Sequence, residues 1–543
     1  MTNAGVLLAV TLAVPLAMLS ACVSRQMRDR MPALLWLAPL PAIAAALFAA
    51  DGSTLVLPQT LLSLTLAIDI PGAMLLGTAA LLWIAAGAYA CAWLRGKPDG
   101  GRFAVWWLMT LTGNLGVFIA ADLVSFYLFF TVVSLAAYGL VVYHDKTSTK
   151  RAAAVYIALA VLAEAFLLMG FVLLEAAVSD GSLLIRDAVA ALPTSPWRDA
   201  ALAFLILGFG VKIGLVPLHV WMPLTYSAAP IPAAAVLSGA AVKAGVIGLI
   251  RFLPFEHALP GWGEALATAG LFSAYYGVAI GITQANPKTV LAYSSISQMG
   301  FLAAVLGMGL AAGDTSVPIA AAFYAVHHTL VKGGLFLAIG VVAPTKSRGL
   351  WLVLLPAAIL ALGLGGLPLT GGALAKLAVK APLGDGIVGV LAALSASGST
   401  LLMLHFLRRL TLRVSHDGET ASAGRTLPWL VVALAAVVLP WALHPVIANT
   451  PLHDALAPEE LWAALWPVLI GALLSVALWR WGHLLPRIPE GDVLVADKRA
   501  ALPVRQLGAA MEQIDWYLRQ WPAAGVLLLA LTIILAGTMF TGH

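Results

Sequence analysis

Charged side chains sit where apolar sequence should exclude them. Residues 204–226, FLILGFGVKIGLVPLHVWMPLTY, carry Lys212 within an oily run, then Pro217 and His219. A second run, VLSGAAVKAGVIGLI, holds Lys243, and a third, AFYAVHHTLVKGGLFLA, holds His327, His328 and Lys332. Glu164 interrupts VYIALAVLAEAFLLMGFVLL, and Lys376 and Lys380 follow the glycine-rich GLGGLPLTGG. An ionisable group at bilayer depth costs roughly 2.5–3.5 kcal/mol on insertion scales, so such groups face a bundle interior or water and find partners. Lysine and histidine can each bind and release a proton. A series of them along water could pass protons without stranding a full charge in hydrocarbon.

The spacing sharpens this reading. His328 and Lys332 are four residues apart, so they share one helix face. Pro217 frees a carbonyl one turn back and has no N–H of its own. Freed backbone at membrane depth is tolerated only where protein or a water-filled cavity satisfies it, so the break predicts a polar pocket beside Lys212 and His219. Residues 363–376, GLGGLPLTGGALAK, repeat the device, with Gly365 and Pro368 at the interruption and Lys376 after it. A pair of broken helices in corresponding positions points to an inverted-repeat transporter. The bland alternative for a lysine is that it snorkels to the headgroups from a helix end. That reading fits Lys380, which Pro382 and Asp385 closely follow, better than Lys243 or Lys332, which apolar residues flank on both sides.

The elements that must hold these residues are membrane spans. Of 543 residues, 61% are hydrophobic and 10% charged, against about 25% charged in soluble chains. Too few charges remain to solvate a globule of this size. Apolar stretches of spanning length fall near 5–22, 31–50, 72–94, 103–121, 122–143, 152–177, 200–218, 231–250, 263–283, 289–310, 317–343, 350–367 with 371–382, 385–407, 427–447, 461–481 and 523–541. They predict an all-α polytopic membrane protein with about 16 transmembrane helices. The short apolar piece 57–70, broken by Pro58, reads as a hairpin or re-entrant loop. The ranges group as N-terminal helices (1–102), a first five-helix repeat (103–252), an inverted second (263–407) and C-terminal helices (427–543). Within the last group, 484–521 reads as a cytoplasmic loop with an interfacial amphipathic piece.

Basic residues recur at alternate exits: Arg25, Arg28 and Arg30; Arg95, Lys97 and Arg102; Lys146, Lys150 and Arg151; Lys346 and Arg348; Arg408, Arg409 and Arg413. Opposite loops such as 449–460, NTPLHDALAPEE, are neutral or acidic. The positive-inside rule places the basic exits in the cytoplasm and both termini outside. The net charge of +5 therefore reads as membrane orientation, not nucleic-acid binding. LSAC at 19–22 resembles a lipoprotein cleavage box, but MTNAG lacks a basic n-region, so 5–22 reads as a retained first helix. Two cysteines, Cys22 and Cys91, exclude a disulfide framework and a Cys-based zinc or iron–sulfur site, so no metal or cofactor is expected.

The same residues carry a family likeness. The stretches KIGLVPLHVWMPLTYSAAPIPAAAVLSGAAVKAGVIGLIRF (212–252), NPKTVLAYSSISQMGF (286–301) and HHTLVKGGLFLAIG (327–340) are its strongest part. GLPLTGGALAK (366–376) and DLVSFYLFF (122–130) are weaker. The sequence resembles the antiporter-like membrane subunits shared by respiratory complex I, Mrp-type sodium/proton antiporters, membrane-bound hydrogenases and related inorganic-carbon-uptake complexes. The resemblance covers roughly residues 72–410. It implies that Lys212 centres one half-channel, Lys243 connects it onward, His328 and Lys332 carry protons across the middle, and Lys376 ends the path. It gives Lys288 and His327 lesser weight. One departure stands out: the family has a glutamate in span five where this chain has Thr131 in LFFTVVSLAAYGLV. Glu164 could supply the missing charge from span six.

Several functions are compatible with these residues. The first is a proton-conducting subunit of a larger complex. Its partner would be a redox arm, a set of antiporter subunits or a soluble zinc-containing carbon-capture protein, the last coupling proton flow to CO2/bicarbonate uptake. The second is the proton-pumping membrane subunit of an NADH–quinone or hydrogenase machine, and the third a structural subunit without conduction. The chain shows no flavin, iron–sulfur or quinone motif. The choice between H+ and Na+ stays open, because unwound backbone near Pro217 or Gly365 could supply oxygens to sodium.

Overall fold

The proline content of the first hundred residues decides where helices can start. In a computed structural model of the chain, α1 spans Asn3–Ala21 and the short α2 spans Arg25–Arg30. The expected span at 31–50 is not a single helix: a 3-10 turn at Met31–Ala33 leads irregularly into α3, Leu40–Phe48. Pro32, Pro39 and Pro41 remove three backbone donors in ten residues, which breaks the i to i−4 ladder. The described residues are 3–489, apart from 50–51, 58–63, 145, 180, 344, 346–349, 415–421, 448–451 and 487. They belong to one unit, Met1–Glu490. The expected loop beyond residue 489, the span 523–541 and the basic residues Lys346 and Arg348 lie outside the described residues.

At the expected hairpin, β1 (Thr54–Leu57) pairs antiparallel with β2 (Leu64–Ala67), while Pro58 lies outside the described residues. The hairpin leads into α4, Ile70–Leu94, which Asp69 caps by accepting from Gly72 N at 2.7 Å. Helix α5 covers Gly100–Ile119 and α6 covers Leu123–Val141. Asp122 caps α6 through Ser125 N at 2.7 Å and holds the hairpin through Thr65 N at 2.6 Å. Then come α7 (Thr147–Glu175), the short α8 (Ile185–Ala191), α9 (Arg198–Ile213), α10 (Trp221–Ala228), α11 (Ile231–Val236) and α12 (Lys243–Phe252). A π-helical turn, Leu237–Ala241, joins α11 to α12 immediately before Lys243.

The second stretch runs in similar order: α13 (Pro260–Gly281), α14 (Pro287–Ala312), α15 (Val317–Val342), an interrupted pair α16 (Leu350–Gly365) and α17 (Gly371–Ala378), the short α18 (Lys380–Leu383) and α19 (Ile387–Thr411). Glycines let α13 and α14 touch backbone to backbone; a Cβ on Gly270 would fall 2.5 Å from Gly300 O. Helices α20 (Ala423–Ile447), α21 (Leu452–Ala455) and α22 (Pro458–Trp481) complete the described chain.

Eleven described helical spans are long and apolar enough to cross a membrane. This is fewer than the apolar stretches, for physical reasons. The two interrupted spans leave only 16 residues each in α9 and α16, 31–50 is broken, and α13 dilutes its apolar content with glycines, tyrosines and Glu264. The apolar windows of Ile231–Phe252 and Val317–Val342 are wholly buried, whereas α1, α20 and α22 are mostly exposed at the edges. The two hidden spans are those that carry Lys243, His327, His328 and Lys332.

Candidate functional site

The first break is built where α9 runs out. Gly214 ends the helix in the left-handed region at φ +79°, a conformation that glycine adopts freely. The Val216–Pro217 peptide is cis. The backbone groups that the break releases meet protein partners: Trp221 Nε1 donates to Val211 O at 2.9 Å, and Val216 N donates to Ser273 Oγ at 3.0 Å. His219 is buried on the far side of the break, its ring 5.1 Å from that of Tyr276 and 6.5 Å from that of Tyr293.

Lys212 occupies the last turn of α9 and is buried. Its Nζ donates to Ser134 Oγ at 2.7 Å and lies 5.0 Å from the centre of the Phe130 ring. The nearest opposite charge is Glu164 of α7, also buried, which is within electrostatic reach of Lys212 and beside the same Ser134. Thr131 Oγ1 donates to Glu164 Oε2. The residue standing at the expected glutamate's place therefore holds a glutamate from the next helix. Glu164 Oε1 is buried without a hydrogen-bond partner among the described residues.

The middle of the molecule holds the densest group. Lys243 Nζ and His328 Nδ1 are 2.5 Å apart, and both residues are buried. Lys332, also buried, donates to Leu291 O of α14 at 3.0 Å. That carbonyl also accepts from Ser295 Oγ at 3.1 Å, and Ser295 Oγ lies 3.1 Å from Ser238 Oγ on the π turn. A π turn displaces the following side chains around the helix axis and recurs at functional sites; here it precedes Lys243. Neither lysine can snorkel, because bundle surrounds both.

At the second break, α16 stops at Gly365 and α17 restarts at Gly371. Gly366 at φ +95° and Leu369 at φ +63° turn the chain around Pro368. Lys376 Nζ donates to Gly365 O at 2.6 Å, satisfying a carbonyl that the interruption frees. His327 is buried against this turn: a Cβ on Gly372 would come 3.0 Å from His327 Cε1. Lys376 is partly open to a cleft of about 390 Å³ lined also by Lys380, Asp385 and Glu460. Lys380 is exposed and pairs with Glu460 at 2.8 Å. Lys288 is held elsewhere: its Nζ donates to Ser227 O at 3.1 Å and Ala229 O at 2.5 Å, where α10 ends.

Sequence reading missed a set of buried hydroxyl and amide groups on α14, α15 and α19. Gln298 Nε2 donates to Ser399 Oγ at 2.7 Å, and Tyr324 OH donates to Gln298 Oε1. Ser294, Ser297 and Ser397 bury hydroxyls with no hydrogen-bond partner among the described residues. Buried polar atoms that lack a protein partner are characteristically satisfied by water. A signal did exist: YSSISQ at 293–298 puts five polar residues within a membrane helix. Ser134 follows Thr131 by three residues and so shares its face.

Residues 120–401 match the membrane-spanning family described as NADH:quinone oxidoreductase/Mrp antiporter. NADH-quinone oxidoreductase subunit N of Desulforudis audaxviator is 34% identical over 276 residues, 48% of this chain and 52% of that protein. Hydrogenase-4 component B of Escherichia coli is 28% identical over 299 residues, 52% of this chain and 44% of that one. The chain thus spans about half the length of these relatives. A chain in the solved Mrp complex from Dietzia sp. DQ12-45-1b shares the fold, with a TM-score of 0.78 at 20% identity, covering 100% of this chain and 63% of that chain. The matched residues take in both helix breaks and every buried lysine of the site, and on that match the chain belongs to the NADH:quinone oxidoreductase/Mrp antiporter membrane family.

Proposed function

We propose that this antiporter-like membrane protein conducts protons along Lys212, Lys243, His328, Lys332 and Lys376, with water and hydroxyl groups between them. The observation that carries the reading is the burial of Lys212, Lys243 and Lys332 inside the bundle, two of them in spans whose apolar windows are wholly buried. Such groups are expensive and are kept where ions or protons pass. Glu164, held by Thr131, takes the part of the span-five carboxylate and attracts the Lys212 proton. Protons enter the second half-path at Lys332 and leave at Lys376, where the cleft opens.

The two stretches 103–252 and 263–407 act as inverted repeats, each lending half of the path, and the basic exits face the cytoplasm. The chain carries no flavin, iron–sulfur or quinone motif in its sequence, so the energy comes from elsewhere. It works within a complex, and its partner determines what the proton flow drives. That partner is a redox arm, further antiporter proteins, or a soluble zinc protein that captures inorganic carbon. Affinity purification from the native membrane with mass spectrometry separates these partners.

The test is proton flux, read by a pH-sensitive dye in proteoliposomes containing the purified complex. Lys212→Ala and Lys332→Ala should each abolish coupled flux while leaving the chain folded and inserted. Full flux in both variants would give the chain a structural role only.

A further inference from the structure

A basic pocket of about 660 Å³ opens where the C-terminal ends of α19 and α22 meet the turn between α13 and α14. His405, Arg408, Arg409 and His483 line it, with Gln284 and Trp479. Among the described residues, no aspartate or glutamate lines it and neither arginine joins a salt bridge. The Arg408 guanidinium lies 5.7 Å from the Trp479 ring centre, and Arg409 Nε is 3.5 Å from His405 Nε2. His405 is buried, with Nε2 2.8 Å from Gln284 O, and its Nδ1 has no hydrogen-bond partner among the described residues. Gln284 Nε2 also donates to Ile488 O at 3.2 Å, which closes one wall.

Two features say what belongs there. Trp479, Arg480 and Trp481 at the end of α22, and Arg408 and Arg409 at the end of α19, are the residue types that mark the headgroup level of a bilayer. Leu478 and Leu485 line the same pocket beside the cations, so a ligand with both a negative head and an apolar body fits better than a free anion. Basic pockets between membrane helices bind anionic headgroups. We propose that this pocket seats the phosphodiester headgroup of an anionic glycerophospholipid, with Arg408 and Arg409 on the phosphate and the ring of Trp479 beside the glycerol. The site is separate from the lysine series, and its test does not depend on proton transport.

Native mass spectrometry of the purified full chain in detergent reads the binding directly. Phosphatidylglycerol should be retained in preference to phosphatidylcholine of identical acyl chains. Arg408→Gln and Arg409→Gln should each lower that preference about fivefold, in line with the contribution of one basic residue near a charged surface. Arg413→Gln removes the same charge at an exposed position outside the pocket and should leave the preference intact. Equal retention of both lipids by the unaltered chain overturns the proposal. So does an equal loss in the Arg413 variant, which would mean general attraction by net charge. A free-anion site is the remaining reading: if inorganic phosphate at millimolar concentration displaces phosphatidylglycerol completely, the lipid assignment fails.

Discussion

Lys243 Nζ stands 2.5 Å from His328 Nδ1, and the two residues come from the two helical spans whose apolar windows are wholly buried. On the proposed path, that separation makes the pair one proton-exchanging unit. Lys243→Met or His328→Leu should each cut proton flux about a hundredfold, the scale of loss when a positioned proton-transfer group is removed. The double variant should be no worse than the poorer single one, because residues that act as a unit are not additive. Additive losses, measured in the same proteoliposome assay, would place them on separate routes.

Glu164 reaches Lys212 from α7, while Thr131 of α6 donates to its carboxylate. Glu164→Gln should lower flux about tenfold, as expected when a charge-assisted interaction is lost. Adding Thr131→Glu to that variant should restore most of it, since the new carboxylate would start from the residue that now touches the old one. Failure of the rescue, with the double variant correctly inserted, would separate Glu164 from the role of the family's span-five carboxylate.

Gly372 packs under the second break, where an added Cβ would strike Gly363 O and come 3.0 Å from His327 Cε1. Gly372→Ala should destabilise the chain by about 1–3 kcal/mol, the usual cost of overpacking, and slow flux through the second half-path. Gly261→Ala makes the control, because nothing lies within 4 Å of a Cβ there. Thermal unfolding followed by tryptophan fluorescence in detergent distinguishes the two.

Arg251 ties three elements together. It donates to Asp69 from Nε at 2.9 Å and from Nη2 at 2.8 Å, and it also holds the carbonyls of Val117, Phe118 and Ala120. Burial alone would raise the Asp69 carboxyl, which lies just outside the α4 span; the Arg251 charge outweighs it and holds the group below the usual carboxylate range. A carboxyl whose folded value is depressed stabilises the fold above its ordinary value near 3.8. That contribution disappears as pH falls through the lower, folded value. The unfolding midpoint should therefore drop below about pH 4, and Asp69→Asn should flatten this part of the profile. At neutral pH the substitution should cost about 1 kcal/mol, kept small by the half-exposed Asp69 side chain. An unchanged acid profile in the variant would assign the acid sensitivity elsewhere.

Much of this architecture could be read from residue types. Pro217 and the Gly365–Pro368 stretch announced both interruptions, because backbone chemistry alone forbids a continuous helix there. The burial of Lys243 and Lys332 followed from their apolar flanks. The span at 31–50 was misread because mean apolarity hides the effect of Pro32, Pro39 and Pro41 on hydrogen bonding. The serine–glutamine links were missed for a different reason. A serine in a membrane helix usually bonds its own backbone, and only the packing of α14 against α15 and α19 places Gln298 between Tyr324 and Ser399. Likewise Trp221 and Ser273 close the first break from positions that no local pattern ties to it.

The two hidden spans, Ile231–Phe252 and Val317–Val342, also constrain biogenesis. Each carries lysine, and the second carries two histidines as well. Alone in lipid, each lysine would cost roughly 2.5–3.5 kcal/mol, with nothing yet in place to accept its hydrogen bonds. Such segments leave the insertion machinery at a disadvantage until their neighbours arrive. Leu291, whose carbonyl receives Lys332, is synthesised before that lysine, whereas His328 emerges long after Lys243. The order of synthesis therefore shelters Lys332 early and leaves Lys243 waiting for its companion.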